Sequence, residues 1–91
     1  MFDLTEEAAT LIQTLIHSTD LRAGSGLRII LEPGLGSLVM GLAAHPAPAD
    51  TVFTSHDARV FVAPSAATRL DAKTLDAHMT DNSSAFFLRD R

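Results

Sequence analysis

The sequence predicts an α+β, mainly-β domain: a sandwich or pseudo-barrel of about six short strands with one N-terminal amphipathic helix and one short helix. Three observations lead there. An apolar stripe of helical period fills the N-terminal stretch, period-two alternation sets in at Leu27, and clusters of turn-forming residues recur at short spacing from Gly24 onward.

The helix covers residues 5–18. Thr5 is a good N-cap, Glu6 and Glu7 complement the positive end of the helix dipole, and Leu4 stands where a hydrophobic staple would. Ala8, Leu11, Ile12, Leu15 and Ile16 fall on one face, which needs a sheet to cover it. After the connector ending in Gly24-Ser25-Gly26, Leu27, Ile29 and Leu31 alternate with Arg28, Ile30 and Glu32 as a strand. Pro33-Gly34-Leu35-Gly36-Ser37 is a turn, and residues 38–44 return as the second strand of a hairpin. Residues 45–50, with Pro46 and Pro48, read as a surface loop. Residues 51–54 and 59–63 are short strands around a turn at Ser55-His56-Asp57-Ala58. Pro64 opens a short helix through Leu70. Asp71-Ala72 turns the chain, residues 73–79 run extended, residues 81–84 turn again, and residues 85–88 form the last strand.

With 91 residues the chain is read as one domain, 1–91. Seven basic residues are scattered against eleven acidic ones, so no concentrated positive surface is available for nucleic acid. No apolar run approaches the roughly 18–20 residues of a membrane span, and a cytoplasmic location is expected. The absence of cysteine excludes disulfides, thiolate nucleophiles and thiolate ligation of metals.

The remaining candidates for chemistry are few. His17, His45, His56 and His78 show none of the spacings that aim two imidazoles at one ion. Asp71, Asp76 and Asp81 read as turn and solvent residues. Ser55-His56-Asp57 has the residue types of a hydrolytic triad, but consecutive residues in a turn point in different directions. The glycine-rich loop lacks the lysine of a phosphate loop and leads into a strand. The chain is therefore read as a non-enzyme with no cofactor.

The order of these signals resembles the HesB-like family, the A-type carriers of iron–sulfur clusters. The resemblance is carried by Leu4-Thr5-Glu6-Glu7-Ala8, Gly26-Leu27-Arg28-Ile29, the glycine-rich loop closing on Gly41-Leu42, and residues 50–53. It continues through Val60-Phe61-Val62-Ala63-Pro64, Leu70-Asp71, Thr74-Leu75-Asp76 and Ser84-Ala85-Phe86-Phe87. It implies a family role of accepting, holding and passing on a cluster through three cysteines. The loop cysteine of the family falls on Leu35, flanked by Gly34, Gly36 and Ser37, and the Cys-Gly-Cys tail has no counterpart in this sequence. The chain is thus read as a degenerate member whose leucine is consistent with a packed loop. Ala72 replaces a glycine usual after Leu-Asp, and His56-Asp57 stands where an Asp-Gly turn is common.

Two functions are expected from this. The first is a HesB-like protein that does not ligate a cluster itself and acts as a non-catalytic binding or accessory module, with a protein partner in iron–sulfur assembly. The second is a metal (iron) binder using His and Asp ligands, across a homodimer interface if need be. Leu35, Leu38, Met40, Phe86 and Phe87 are the candidate interface residues, with Phe86 and Phe87 pointing to opposite faces of the last strand.

Overall fold

A computed structural model describes residues 2–90. In chain order its elements are β1 (Asp3–Leu4), α1 (Glu6–Ser18), β2 (Gly26–Leu31), β3 (Leu38–Ala43), β4 (Thr51–Ser55), β5 (Ala58–Val62), α2 (Pro64–Leu70), β6 (Lys73–Met79) and β7 (Ser84–Asp90). They make two sheets, a four-stranded one in the order β3-β2-β5-β4 and a three-stranded one in the order β1-β6-β7. The expected α+β class is what is found, with one strand more than the alternation signalled. That strand, β1, is two residues long and pairs in parallel with β6, Asp3 beside Thr74 and Leu4 beside Leu75. No helix among the described residues is long and apolar enough to cross a membrane.

α1 forms where the period demands it. Thr5 caps it by accepting from the Ala8 N–H (3.1 Å), and the buried stripe is Ala8, Ala9, Leu11 and Ile12. That stripe packs against β6 of one sheet and against β5 and β2 of the other. Leu27, Ile29, Val60 and Val62 meet it from the larger sheet, Leu75 and Ala77 from the smaller, and Ala66 and Leu70 from α2. Phe2 closes one end with its ring edge-on to Phe53, centroids 5.2 Å apart.

The start of α1 is fixed to the smaller sheet. The Thr5 N–H donates to the Leu75 carbonyl (2.9 Å), and its hydroxyl donates to Asp76 Oδ1 (2.7 Å). Asp76 also accepts from the Ala77 N–H (2.8 Å), and its second oxygen lies 3.2 Å from Arg89 Nε. The Thr5 hydroxyl foremost, then the Ala77 N–H, holds its carboxyl below the usual carboxylate range. Asp76 was expected as a turn or solvent residue; in the middle of β6 it is instead the anchor of the helix cap.

The larger sheet has a second covered face. Cross-strand register places Phe61 beside Arg28 and opposite Val52, on the side away from Ile29 and Val60. Phe61 is fully buried yet lies outside the main core cluster. The Arg59 guanidinium sits 5.2 Å from its ring centroid and donates to the Gly24 carbonyl (2.7 Å). A side chain at Gly26 would come within 2.5 Å of the Arg59 carbonyl oxygen and 3.0 Å of the Phe61 ring, so the close approach requires glycine. Arg28, on the same face, forms a two-pronged pair with Asp50, Nε–Oδ2 at 2.7 Å and Nη2–Oδ1 at 3.0 Å. Asp50 also accepts from the Ala47 N–H (2.9 Å), which ties the proline loop to this face.

The two turns where the resembled family has glycine adopt the left-handed backbone that suits glycine. His56 (φ 51°) and Asp57 (φ 65°) form the two-residue hairpin between β4 and β5. Ala72 enters β6 at φ 60°. An alanine there is strained by about 1–2 kcal/mol, while glycine loses about 0.5–1 kcal/mol more backbone entropy on folding. Ala72→Gly should therefore stabilise the protein by about 0.5–1 kcal/mol in urea unfolding. A loss of stability would show that the strain has been relieved by local packing.

Candidate functional site

The hairpin loop between β2 and β3 is built by backbone groups. The Glu32 N–H donates to the Ser37 carbonyl (2.8 Å) and the Gly36 N–H to the Glu32 carbonyl (3.2 Å). Gly34 at φ 85° and Gly36 at φ 71° bend the chain where a side chain would be strained. α2 steadies the loop from the side. Arg69 Nη1 donates to the Gly36 carbonyl at 2.8 Å, and Ser65 Oγ accepts from the Leu31 N–H at 3.4 Å.

Held this way, the loop lifts Leu35 into solvent, 73% exposed, the most exposed large apolar side chain among the described residues. A packed loop was expected, and the structure corrects it: between two glycines at positive φ, Leu35 stands outside the core and its packed neighbours. An apolar side chain at that exposure gains little from folding and leaves most of its surface open to contact.

The other candidate interface residues do not join it in one patch. Leu38 and Met40 are half-buried on the inner face of β3, against the core. Phe86 is half-buried opposite Ala77 on β7, while Phe87 beside it is 42% exposed opposite Asp76. Phe86 and Phe87 thus point to opposite faces as expected, one into the core and one into solvent. Val39, at 40% exposed, is an outward residue the site reading passed over; the β2–β3 alternation that turns Met40 inward turns Val39 outward. Around it Arg28, Ile30, Val39 and Gly41 line a shallow depression of about 200 Å³.

The polar candidates remain apart. His17, His45, His56 and His78 are all exposed. Among the described residues no three His, Asp or Glu side chains are placed to hold one metal ion. Asp71 ends α2, Asp76 is engaged with Thr5 and Arg89, and Asp81 lies in the turn before β7. Ser55, His56 and Asp57 trace the hairpin turn, with the His56 carbonyl accepting from Gln13 Nε2 at 3.2 Å. Among the described residues, ion pairs join Arg28 to Asp50, Lys73 to Asp90 and Arg89 to Asp76. The loop can thus present one apolar side chain, on a fixed backbone, to a complementary surface.

Comparison with known proteins agrees with this architecture. SufA of Escherichia coli, described as involved in biosynthesis of iron–sulfur clusters, superposes with a TM-score of 0.79 at 24% identity, over 98% of this chain and 84% of SufA. IscA with a 2Fe–2S cluster gives a TM-score of 0.71 at 23% identity, over 99% of this chain and 85% of IscA. A protein from Aquifex aeolicus solved in solution gives 0.78 at 22% identity, over 99% of this chain and 91% of that one. At these identities the likeness is one of fold. No protein-family model matches the sequence. In sequence the chain is 36% identical over 89 residues to the uncharacterized protein blr1755 of Bradyrhizobium diazoefficiens, covering 94% of this chain and 83% of the relative.

Proposed function

This chain belongs to the same family as the uncharacterized protein blr1755 of Bradyrhizobium diazoefficiens, and from its fold and the resemblance in its sequence we propose that it is a HesB-like protein that ligates no cluster itself. It acts as a non-catalytic binding or accessory module in iron–sulfur assembly, and its partner is another protein of that assembly. One observation carries the reading: where the loop cysteine of the resembled family falls, Leu35 stands 73% exposed on a backbone braced by Arg69. Leucine has no donor atom for iron, whereas an exposed leucine on a fixed loop suits a protein contact. The likeness in fold to SufA and IscA supports the place in iron–sulfur assembly.

The test has two arms. Protein purified without oxygen and incubated with iron and sulfide should bind less than about 0.1 iron per chain and show no visible absorption. Stoichiometric iron would overturn the reading and leave the exposed histidines of separate chains as the ligands to replace in turn. In the second arm, Leu35→Asp should abolish association with an assembly protein that binds the parent chain, while unfolding stability changes by less than about 0.5 kcal/mol. Undiminished association would move the binding surface away from the loop.

A further inference from the structure

We infer that β3 takes an extended segment of a partner protein as a fifth, antiparallel strand of the larger sheet. The segment has apolar side chains facing Met40 and Gly41 and a basic residue at its C-terminal end facing Glu32. The inference rests on the reading that the chain docks another protein, and it adds a second surface to the Leu35 loop.

The hydrogen-bond phase of the hairpin leaves this edge open. In an antiparallel pair, bonded and non-bonded residue pairs alternate. The Glu32 N–H to Ser37 carbonyl bond marks one bonded pair. Counting along the register, Ile30–Val39, Arg28–Gly41 and Gly26–Ala43 are bonded too. Leu38, Met40 and Leu42 therefore turn their N–H and C=O groups away from β2. β3 is an outer strand of its sheet, and no other hydrogen bond among the described residues reaches those groups. An added strand would pair them all, in about six hydrogen bonds. This edge also lacks the usual protections, since residues 38–43 contain no charge and no proline. The other edges differ: β1 is two residues long, β7 carries Arg89 and Asp90, and β4 carries Thr51 and Thr54.

The side chains along the edge say what the segment carries. On the inner face Leu38, Met40 and Leu42 are half-buried, packed against the core, and apolar residues of the segment extend that core. On the outer face the depression of about 200 Å³ reaches Gly41, where a side chain would find nothing within 4 Å. An apolar residue opposite Gly41 covers this open space beside the exposed Val39. By alternation Glu32 shares the outer face with Arg28 and Ile30. Arg28 is neutralised by Asp50, whereas Glu32 is in no ion pair and no side-chain hydrogen bond among the described residues. Only the small Ser37 separates Glu32 from the edge. A lysine or arginine opposite Ser37 is then two strand spacings from Glu32, roughly 10 Å, which two long side chains span. Residues 38–44 hold no such base, so a second copy of β3 leaves Glu32 unanswered. The Leu35 loop runs into β3 through Gly36 and Ser37, so one partner can hold both surfaces.

The probe is a heptapeptide blocked at both ends, with valine at the three inward positions, leucine opposite Gly41, threonine at the other two outward positions and a C-terminal lysine. Titrated into the full chain and followed by nuclear magnetic resonance, it should bind with a Kd of about 100 µM or tighter. Amide exchange at Leu38, Met40 and Leu42 should slow, while Val39 and Gly41, already bonded to β2, change little. Methylating the peptide nitrogen opposite Met40 should weaken binding at least about tenfold, and methylating the next one, which points away from β3, less than about threefold. These peptides need no protein variant to fold. Replacing the lysine by glutamate should weaken binding about fivefold, and Glu32→Lys should restore it. No binding up to about 1 mM, equal losses at the two methylated nitrogens, a charge exchange without rescue, or an edge already closed by a second copy would each overturn the inference. The peptide stops at Ser37 and does not reach Leu35. Its failure therefore leaves the reading of the loop standing, and undiminished association of Leu35→Asp leaves the edge standing.

Discussion

Phe61→Ala is expected to lower the unfolding free energy by about 3–5 kcal/mol, the range for emptying a fully buried phenylalanine site. A domain of this size holds only about 5–15 kcal/mol in total, so the variant should be close to unfolding at ambient temperature. The reason lies in the second face of the larger sheet. Phe61 points away from the main core, yet it is fully buried. Arg59 lies over the ring, and the Gly26 backbone is close enough that no side chain fits between. The control is Val52→Ala on the same face, where Val52 is 38% exposed and should lose less than about 1 kcal/mol. Urea unfolding followed by circular dichroism separates the two. Equal small losses would mean that the outer face is only a solvated surface.

Asp50→Ala comes second, with an expected loss of about 1.5–3 kcal/mol at neutral pH, the range for hydrogen bonds to a charged group. The Asp50 side chain is 1% exposed and accepts from Arg28 twice and from the Ala47 N–H once. Its partner Arg28 is 32% exposed and can be rehydrated, which keeps the loss at the modest end of what a broken pair causes. The Arg28 hydrogen bond, above all, holds the Asp50 carboxyl below its ordinary value of 3.8. A carboxylate with a lowered folded-state pKa binds its proton less readily folded than unfolded. Its contribution is therefore complete above the unfolded value and fades as pH falls through the folded one. Asp76 and Asp90 are lowered too, by Thr5 and Lys73, so acid should destabilise the parent chain at several points. Asp50→Asn should flatten that acid dependence in part, and a variant as acid-sensitive as the parent would show that Asp50 contributes nothing to it.

Where the chain repeats a local period, the sequence was legible. The amphipathic stripe gave α1 almost to the residue, Pro64 gave α2, and alternation gave the hairpins. The left-handed turns at Asp57 and Ala72 were legible because few residue types can stand in for glycine there. β1 was not, since two residues carry no period and its partner strand lies some seventy positions away. The last strand runs from Ser84 to Asp90, longer than residues 85–88, because pairing with β6 continues through charged residues whose ion pairs are invisible to hydropathy. At the site, the loop was found but its leucine was expected to be packed. Hydrophobicity reports what a side chain prefers, not where two flanking glycines at positive φ carry it. Asp76 was misjudged for a similar reason: an acidic residue in a strand reads as solvent-facing until the helix cap it supports is in view.

The pairing of β1 with β6 also sets an order of events during synthesis. Thr5 caps α1 through the local Ala8 N–H and also holds Leu75 and Asp76, and Asp76 is made 71 positions after it. α1 precedes β6 in the chain, so the part of its apolar stripe that β6 covers stays exposed until that strand has been made. Contacts of such long sequence separation slow folding, and the nascent helix is the segment a chaperone would meet.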